Sequence, residues 1–420
     1  MTTALAEPRS ASSVDISSLA FWDLPFRERD AAFAQLRRGP GSWHPPLENP
    51  AYSDHGEEGF WAVTRAADIA EVSRDFETFS SAVAINVRPR DAAEDLPPTF
   101  MKMDPPEHTE YRRVLAGLFT PRNIATNLLG KIQTRAEDII GRVRGAGTID
   151  FVDEVSGRLP MLTIADLVGV PEPLVDDFAR AGDNILGLLG PAVVPEGTDP
   201  EVFRREQIDV LQQIGVELVR ARRADPQKDI ATALSQTTLR GEPLTDDDIA
   251  AMMVLLSVAG NDTTKQTTSH VAIALMQNPD QSAWLAEDYD ARIGPAVEEF
   301  VRYASPVLNF ARTATRDTVI GETAIREGEK VAMFYCSGNR DETLFPDPHA
   351  FDLSRPVAGH VAFGGGGAHY CLGNHVAKAQ LKSLFREIFT QLPMLEPAGE
   401  PELLRSSFIH GVRHLPVRVS

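Results

Sequence analysis

One long apolar stretch in the second half of the chain restricts the fold more than any other feature. Thr245 precedes three consecutive aspartates, a pattern that caps a helix N-terminus, and Asn278-Pro279 ends the helix. At about 1.5 Å per residue such a helix is about 50 Å long. Its middle is apolar on almost every side (Met252, Met253, Val254, Leu255, Leu256, Val258). This pattern predicts a helix buried through the centre of a domain.

A short polar segment, Ala259-Gly260-Asn261-Asp262-Thr263-Thr264, interrupts that apolar stretch. A glycine inside a helix costs about 1 kcal/mol, and an unpaired buried acid costs several. Small residues followed by an acid and a hydroxyl provide the space, the proton donor and the relay that an oxygen-handling site needs. The alternative is structural: Gly260 permits close helix packing, and Thr263 bonds back to the carbonyl four residues earlier.

The second strong feature is a thiol between four glycines and a predicted helix, in the segment from Phe363 to Gly373. Apolar residues at helical spacing predict that helix from about Leu372 to Phe389. Unpaired N–H groups at its N-terminus are expected to lower the pKa of Cys371 and make it a ligand or nucleophile. The glycines let the backbone turn and lie flat against a large planar group. Alternatively, Cys371 is a small buried hydrophobe; a zinc site is excluded because the only other cysteine is Cys336.

Composition narrows the function classes. A formal net charge of −19 argues against nucleic acid as a partner. No apolar stretch is long enough to span a membrane, and residues 1–15 have no apolar core of signal-peptide length. Two cysteines that lie far apart fit a reducing compartment. We therefore expect a cytoplasmic protein without a membrane span.

The order of elements predicts a mainly α protein with small β-sheets, because strand patterns lie near the two ends of the chain with helices between. Residues 1–50 are predicted to be an irregular N-terminal lead-in with one helix near Glu28 to Arg37. Residues 51–420 have no repeat or long linker and are expected to form one structural unit. The loop at residues 86–99 could border a ligand pocket.

Two further pairs of residues carry weaker signals. Glu299 and Arg302 lie on one helical face, which is typical of a surface ion pair. His108 and Arg112 lie four residues apart after a double proline, where they could grip a carboxylate or form a solvated face.

Together, the order and spacing of these four motifs between Asp104 and Gly373 resemble the cytochromes P-450, the haem-thiolate monooxygenases. The resemblance implies a single-domain cytochrome P-450 fold built around a buried haem b and the long central helix. Cys371 then matches the metal ligand, and Asp262 and Thr263 match the pair that delivers protons to dioxygen. On the cofactor side the resemblance implicates His108, Arg112, Arg312, Phe363, His369 and Gly373.

The same resemblance makes Glu299, Arg302 and Arg355 a buried structural charge cluster. One departure is that Phe363 lies eight residues before Cys371, one more than in most of the family. That longer loop, the segment 259–264 and the tail 407–411 are similar to a mycobacterial branch that hydroxylates methyl-branched lipids and sterol side chains. We therefore expect oxygen from O2 to be inserted at a terminal carbon of a long apolar substrate such as a fatty acid, isoprenoid or sterol side chain.

The substrate pocket is expected to use apolar residues from three parts of the chain: Leu256, Ala259, Val307, Leu308, Phe310, Phe408 and Ile409. The last helical turn before Gly190 is a further candidate. Two alternatives stay open, namely hydroxylation or aromatic cross-linking of a secondary metabolite, and a haem protein that binds ligands without turnover.

Electrons must come from another protein, because no strand is followed by a dinucleotide-binding G-x-G-x-x-G motif. The resemblance implies a separate ferredoxin and an NAD(P)H-dependent ferredoxin reductase. Arg113, Lys378 and Lys382 could form a basic dock for it, or could be scattered solvated cations.

Overall fold

The structure is a computed structural model that describes residues 9, 11–39, 41–48, 58–87, 98–187, 194–239, 241–356, 359–392 and 395–419. Helices dominate the middle of the chain and strands lie mostly toward its two ends, which confirms the predicted mainly α class. The helices described are α1 (Leu19–Asp23), α2 (Phe26–Arg37), α3 (Ala66–Arg74), α4 (Glu107–Ala116), α5 (Pro121–Asn123), α6 (Leu129–Val143), α7 (Arg158–Val168), α8 (Val175–Gly187), α9 (Pro200–Ala224), α10 (Ile230–Ser235), α11 (Asp246–Gln277), α12 (Pro279–Glu287), α13 (Tyr289–Ala304), α14 (Tyr335–Gly338) and α15 (Asn374–Gln391). The strands described are β1 (Ser42–His44), β2 (Phe60–Val63), β3 (Phe79–Ser80), β4 (Gly147–Asp150), β5 (Thr238–Leu239), β6 (Glu242–Pro243), β7 (Asn309–Ala314), β8 (Thr318–Ile320), β9 (Thr323–Ile325), β10 (Lys330–Phe334), β11 (Leu395–Pro397), β12 (Glu402–Leu403), β13 (Val412–His414) and β14 (Pro416–Val419).

The central helix α11 has the predicted limits. Thr245 and Asp248 form a reciprocal capping box at its start, and Asn278 caps its end. The helix contains 32 residues and is therefore about 48 Å long. It packs against α7, α8, α9 and α13, so that helices surround it on several sides. This arrangement gives the molecule one large core around the polar segment at residues 259–264.

The largest sheet of the described residues has the strand order β1-β2-β10-β7-β3. The pairs β1–β2, β10–β7 and β7–β3 are antiparallel, whereas β2 and β10 run parallel. Arg312 lies in the middle of β7 and pairs with Val331 of β10. A second sheet joins the C-terminal strands β11 and β14 to β4, which fixes the end of the chain beside the helical core.

The N-terminal segment is more ordered than the sequence predicted. The helix expected near Glu28 is present as α2, but α1 and β1 also occur within residues 1–50. Phe21, Trp22 and Phe33 pack with Phe60 and Phe334 of the main sheet in one buried cluster. The prediction of an irregular lead-in is therefore wrong for the described part of residues 11–48. Their aromatic side chains find partners far away in sequence, which local patterns do not show.

Two expectations about the surroundings of the core fall on residues that the structure does not describe. Residues 88–97 of the loop that could border a pocket, and residues 188–190 at the end of the candidate helical turn, lie outside the described residues. Among the helices described, none is both long and apolar enough to cross a membrane.

Candidate active site

The loop around Cys371 folds back on itself immediately before α15. The Cys371 N–H donates to the carbonyl oxygen of Phe363 at 3.0 Å, and Gly364 N–H donates to Val361 at 2.9 Å. The Asn374 side chain donates to the Cys371 carbonyl at 2.8 Å. The helix begins at Asn374, two residues later than predicted, because Gly373 is its N-cap. The extra residue of this loop is thus accommodated with Phe363 still bonded to the cysteine backbone.

The glycine run fits against α3, which the sequence alone did not indicate. A Cβ on Gly365 would lie 2.5 Å from the Ser73 hydroxyl and 2.7 Å from the Ile69 carbonyl oxygen, and one on Gly367 would lie 2.4 Å from the Ser73 carbonyl oxygen. Gly367 also has a φ of +74°, which favours glycine. These glycines are therefore required for contact with a helix of the protein, in addition to any planar ligand.

The expectation of a lowered thiol pKa is wrong for the protein alone. Burial raises the pKa of Cys371, and this outweighs the hydrogen bonds from the backbone N–H groups of Gly373 and Asn374 and the positive charges of Arg112 and Lys378. A metal ion bound to the sulfur would supply the further positive charge that a thiolate needs here.

Four basic side chains from two elements, α4 and β7, and from the cysteine loop itself meet at this loop. His108 lies on α4 and its ring is 4.3 Å from that of His369, while Arg312 is buried on β7. The Arg112 guanidinium donates to the carbonyls of Ala368, at 3.0 Å, and Tyr370. The sequence positions of these residues span more than half of the chain, and the fold brings them together.

Among the described residues, His108, Arg112 and Arg312 form no ion pair with a carboxylate, although the charge of Asp104 acts on His108 and Arg312. Both ring nitrogens of His108 are buried without a hydrogen-bond partner there. Burial and the charges of Arg112 and Arg312 lower the pKa of His108 to about 4, although Asp104 opposes this. Burial and Arg312 likewise lower the pKa of His369 to about 3. Unpartnered imidazole and buried guanidinium groups fit an anionic ligand, and the two propionates of a haem have the required charge.

Asp262 is buried on α11 and held by two neighbours on the same helix. Lys265 Nζ lies 3.0 Å from Asp262 Oδ1, and Gln266 Nε2 donates to the same oxygen at 3.1 Å. Lys265 also contacts Asp183 Oδ1 of α8 at 3.1 Å, and the Asn261 amide donates to that oxygen at 2.6 Å. The acid is thus paired and its position is defined from two sides.

The structural alternatives for Gly260 and Thr263 are both present. A Cβ on Gly260 would lie 2.2 Å from Ile164 Cδ1 of α7, so the glycine permits close helix packing. The Thr263 hydroxyl donates to the Ala259 carbonyl at 3.1 Å. Ala259 itself is exposed on a helix whose neighbours Leu256 and Asp262 are buried. The helix face at Ala259 and Thr263 therefore remains open and leaves room for a ligand.

The three residues of the expected charge cluster lie together. Arg302 forms two hydrogen bonds to Glu299, at 2.6 and 2.7 Å, and both side chains are fully buried. Arg302 also donates to the carbonyls of Asn339 and Pro348, at 2.8 and 2.9 Å. Arg355 Nε lies 3.6 Å from Glu299 Oε1. These contacts tie α13 to the segment that leads into the cysteine loop.

The expected substrate residues divide into two groups. Val307 and Phe310 are partly exposed and meet the tail, where Ile409 bridges Val307 and the Phe408 ring lies 5.4 Å from that of Phe310. Leu308 is fully buried and packs in the cluster that includes Phe334 and Cys336. Leu308 thus packs in the protein core, and its contribution to the pocket stays a prediction.

Sequence reasoning missed three residues beside Asp262, namely Asp183, Lys265 and Gln266. Lys265 and Gln266 follow the acid by three and four positions, which is the spacing of helical neighbours. This signal was available in the sequence. The contribution of Asp183 was not, since it lies on another helix.

Comparison with known proteins adds independent support. The cytochrome P450 family model matches residues 200–407. A steroid C26-monooxygenase of Mycolicibacterium smegmatis is 38% identical over 368 residues, covering 86% of this chain and 84% of that protein. A methyl-branched lipid omega-hydroxylase of Mycobacterium tuberculosis is 35% identical over 413 residues, covering 97% of this chain and 94% of the relative.

Among solved structures, a Mycobacterium marinum cytochrome P450 in complex with pseudoionone has a TM-score of 0.93 and 42% identity, and the match covers 98% of this chain and 100% of that one. This likeness therefore covers nearly the whole chain. The chain belongs to the cytochrome P450 family, whose members are haem-thiolate monooxygenases.

Proposed function

We propose that this chain uses haem b and O2 to hydroxylate the terminal carbon of a long apolar substrate with methyl branches: a branched lipid or fatty acid, an isoprenoid or a sterol side chain. The observation that carries the proposal is the 35% identity to a methyl-branched lipid omega-hydroxylase over 97% of this chain. The relative named as a steroid C26-monooxygenase and the neighbour bound to pseudoionone, an isoprenoid ketone, agree with it.

The chemistry of the described pocket candidates supports an apolar substrate. Val307, Phe310 and Phe408 are partly exposed and apolar, and they lie on one side of the molecule with Ile409. The Asp262 carboxylate already has a partner, since it pairs with Lys265, and the basic cluster is assigned to the propionates. An apolar chain could therefore enter without burying an unpaired charge.

The haem would be held by two groups of residues. Cys371 would supply the sulfur ligand of the iron, with Phe363 and Gly373 beside it, and the propionates would be bound by His108, Arg112, Arg312 and His369. When bound, the haem supplies the activation of dioxygen that oxidation of an unactivated C–H bond requires. The protein excludes water, orients the substrate and controls the protons.

Asp262 and Thr263 are the residues to which we assign proton delivery. The Asp262 carboxylate is buried within reach of Lys265, and the Thr263 hydroxyl lies on the open face of α11. In this role Asp262 passes protons from the Lys265 side of the helix, and Thr263 holds the last donor beside the reacting oxygen.

We further propose that electrons come from a reduced ferredoxin served by an NAD(P)H-dependent reductase, and that the enzyme works in the cytoplasm. On the cysteine side Arg113 is exposed, while Lys378 is paired with Glu298 at 2.7 Å and lies over the Phe363 ring. An electrostatic dock predicts reduction rates that fall as ionic strength rises. Rates that do not change with salt would contradict it.

The test of the function is a titration of purified holoenzyme with methyl-branched lipids, isoprenoids and sterols, followed by product analysis with a surrogate ferredoxin system. We expect a change in the spin state of the iron and a product hydroxylated at the terminal carbon. Linear fatty acids of matched length are the control. Cys371→Ser should remove the thiolate-specific absorption of the reduced CO complex. A spin-state response without any product, or oxidation only at internal carbons, would overturn the proposal.

A further inference from the structure

Gln266 is a buried side chain that the proposed mechanism does not yet use. Its exposed fraction is 1%, and it lies one helical turn after Asp262 on α11. Its Nε2 donates to Asp262 Oδ1 at 3.1 Å, and its Oε1 accepts from the Val412 N–H at 2.7 Å. This amide orientation is determined by chemistry, because the backbone N–H requires an acceptor and the carboxylate requires a donor.

The two partners of Gln266 belong to different parts of the site. Val412 begins β13, three residues after Ile409 and four after Phe408, which lie at the pocket. The same tail is fixed by a hydrogen bond of 2.9 Å from the His410 N–H to the Pro306 carbonyl. Gln266 therefore connects the tail that carries two of the pocket candidates with the acid to which we assign proton delivery.

The ion pair alone does not define the direction of the Asp262 carboxylate. Lys265 Nζ is shared between Asp262 and Asp183, at 3.0 and 3.1 Å, and an ammonium is a compact charge without a preferred direction. The Gln266 amide donates along a fixed line from a side chain that is itself held at its other end. The direction of the carboxylate thus depends on Gln266.

We propose that Gln266 is a positioning residue for proton delivery: it orients the Asp262 carboxylate and ties that orientation to the C-terminal segment at the substrate pocket. This inference rests on the proposed role of Asp262 as a proton-delivery acid. A substrate that contacts the tail at Phe408 and Ile409 would then change the orientation of the Asp262 carboxylate through the Gln266 side chain.

The first test is Gln266→Met, which keeps the side-chain length and removes both hydrogen bonds. Loss of a hydrogen bond to a charged group predicts that product formed per NAD(P)H consumed falls by about tenfold, with the difference released as peroxide. The matched control is Gln380→Met, since Gln380 is equally buried but lies on α15. The control is expected to retain wild-type coupling.

The second variant, Gln266→Glu, separates orientation from packing. A protonated carboxyl at this position can donate to Asp262 and accept from the Val412 N–H, as the amide does, whereas an ionised one repels Asp262. The charged and titratable groups on the elements around this position are Lys265 and His270 on the same helix, Asp183 on α8, Asp153, which interacts with Lys265, His410 on the tail, and Arg413 and His414 on β13. We expect coupling in Gln266→Glu to rise as the pH falls, relative to wild type at each pH. A purely structural role predicts no such recovery.

A spectroscopic readout keeps the test independent of turnover. In the resting enzyme, the infrared carboxylate band that disappears in Asp262→Asn should shift in Gln266→Met and stay in place in Gln380→Met. If Asp262→Asn itself retains full coupling, the proposed role of Asp262 fails. If Asp262→Asn uncouples but Gln266→Met leaves both coupling and band unchanged, the positioning role is overturned. If Gln266→Met does not fold, the pH profile of Gln266→Glu decides.

Discussion

Adding one methyl group at Gly260 tests whether this position serves helix packing. A Cβ there would lie 2.2 Å from Ile164 Cδ1 and 2.4 Å from its Cγ1, but 3.8 Å from its Cβ. The first two distances are well inside van der Waals contact, so Gly260→Ala requires α7 and α11 to move apart or Ile164 to leave its rotamer. Such overpacking costs about 1–3 kcal/mol.

Two opposing effects determine the expected change in the free energy of unfolding. Replacing glycine by alanine inside a helix gains about 1 kcal/mol when the site has room. Gly141→Ala on α6 supplies that reference, because its new Cβ would meet only Gln391 Oε1, at 3.8 Å. We therefore expect Gly260→Ala to have a free energy of unfolding about 1–3 kcal/mol below that of Gly141→Ala.

A double-mutant cycle identifies Ile164 as the cause. Ile164→Ala alone should cost about 2–5 kcal/mol because it leaves a cavity. The combination with Gly260→Ala should be about 1–3 kcal/mol more stable than the sum of the two single changes, since the new methyl enters the vacated space. Urea unfolding followed by tryptophan fluorescence measures all four proteins.

One result would refute this reasoning. If Gly260→Ala is as stable as Gly141→Ala and instead changes the rate at which CO binds to the reduced enzyme, the new methyl faces the cofactor space. The glycine would then serve the oxygen site and not the contact with α7.

Three further predictions follow from the described contacts. Thr263→Ala should keep the haem spectrum while more oxygen leaves as peroxide, and an unchanged yield per electron would contradict the proton role. Glu299→Gln should lower the free energy of unfolding by about 3–5 kcal/mol because it leaves the buried Arg302 charge uncompensated. The control is the same change at Glu154, which forms an exposed pair with Arg158 and should cost at most about 1 kcal/mol. Burial lowers the pKa of His44 from 6.5 to about 4, so the folded state binds fewer protons than the unfolded state between these pH values. A contribution of about 3 kcal/mol to the free energy of unfolding is therefore present above pH 6.5 and should be lost as the pH falls toward 4. Urea unfolding at several pH values should show a flatter pH dependence for His44→Gln.

The parts of the fold that follow from local chemistry were predictable. The limits of α11 follow from Thr245, the acids after it and Asn278, all of which act within one turn of the helix ends. The family resemblance could be seen in the sequence because its motifs are short and ordered along the chain, and the comparisons confirmed it. The same locality explains why Lys265 and Gln266 could have been found from their spacing after Asp262.

The parts that were wrong depend on contacts between distant segments. The pKa of Cys371 depends on burial, which no local pattern shows, and the helix N-terminus is a smaller effect. Trp22 and Phe33 of the N-terminal segment find a ring partner in Phe334 of β10, far along the chain. The individual roles at the cofactor stay predictions, although the fold brings His108, Arg312 and His369 into one cluster.

The contact of Gly365 and Gly367 with α3 has a consequence for engineering by exchange of segments. The loop that carries the sulfur fits only a helix that leaves the space beside Ile69 and Ser73 free. A chimera that receives this loop from a relative, without the helix that evolved with it, would displace the sulfur even if every residue around the iron were kept. A chimera should therefore take residues 66–74 and residues 363–373 together from the same donor protein.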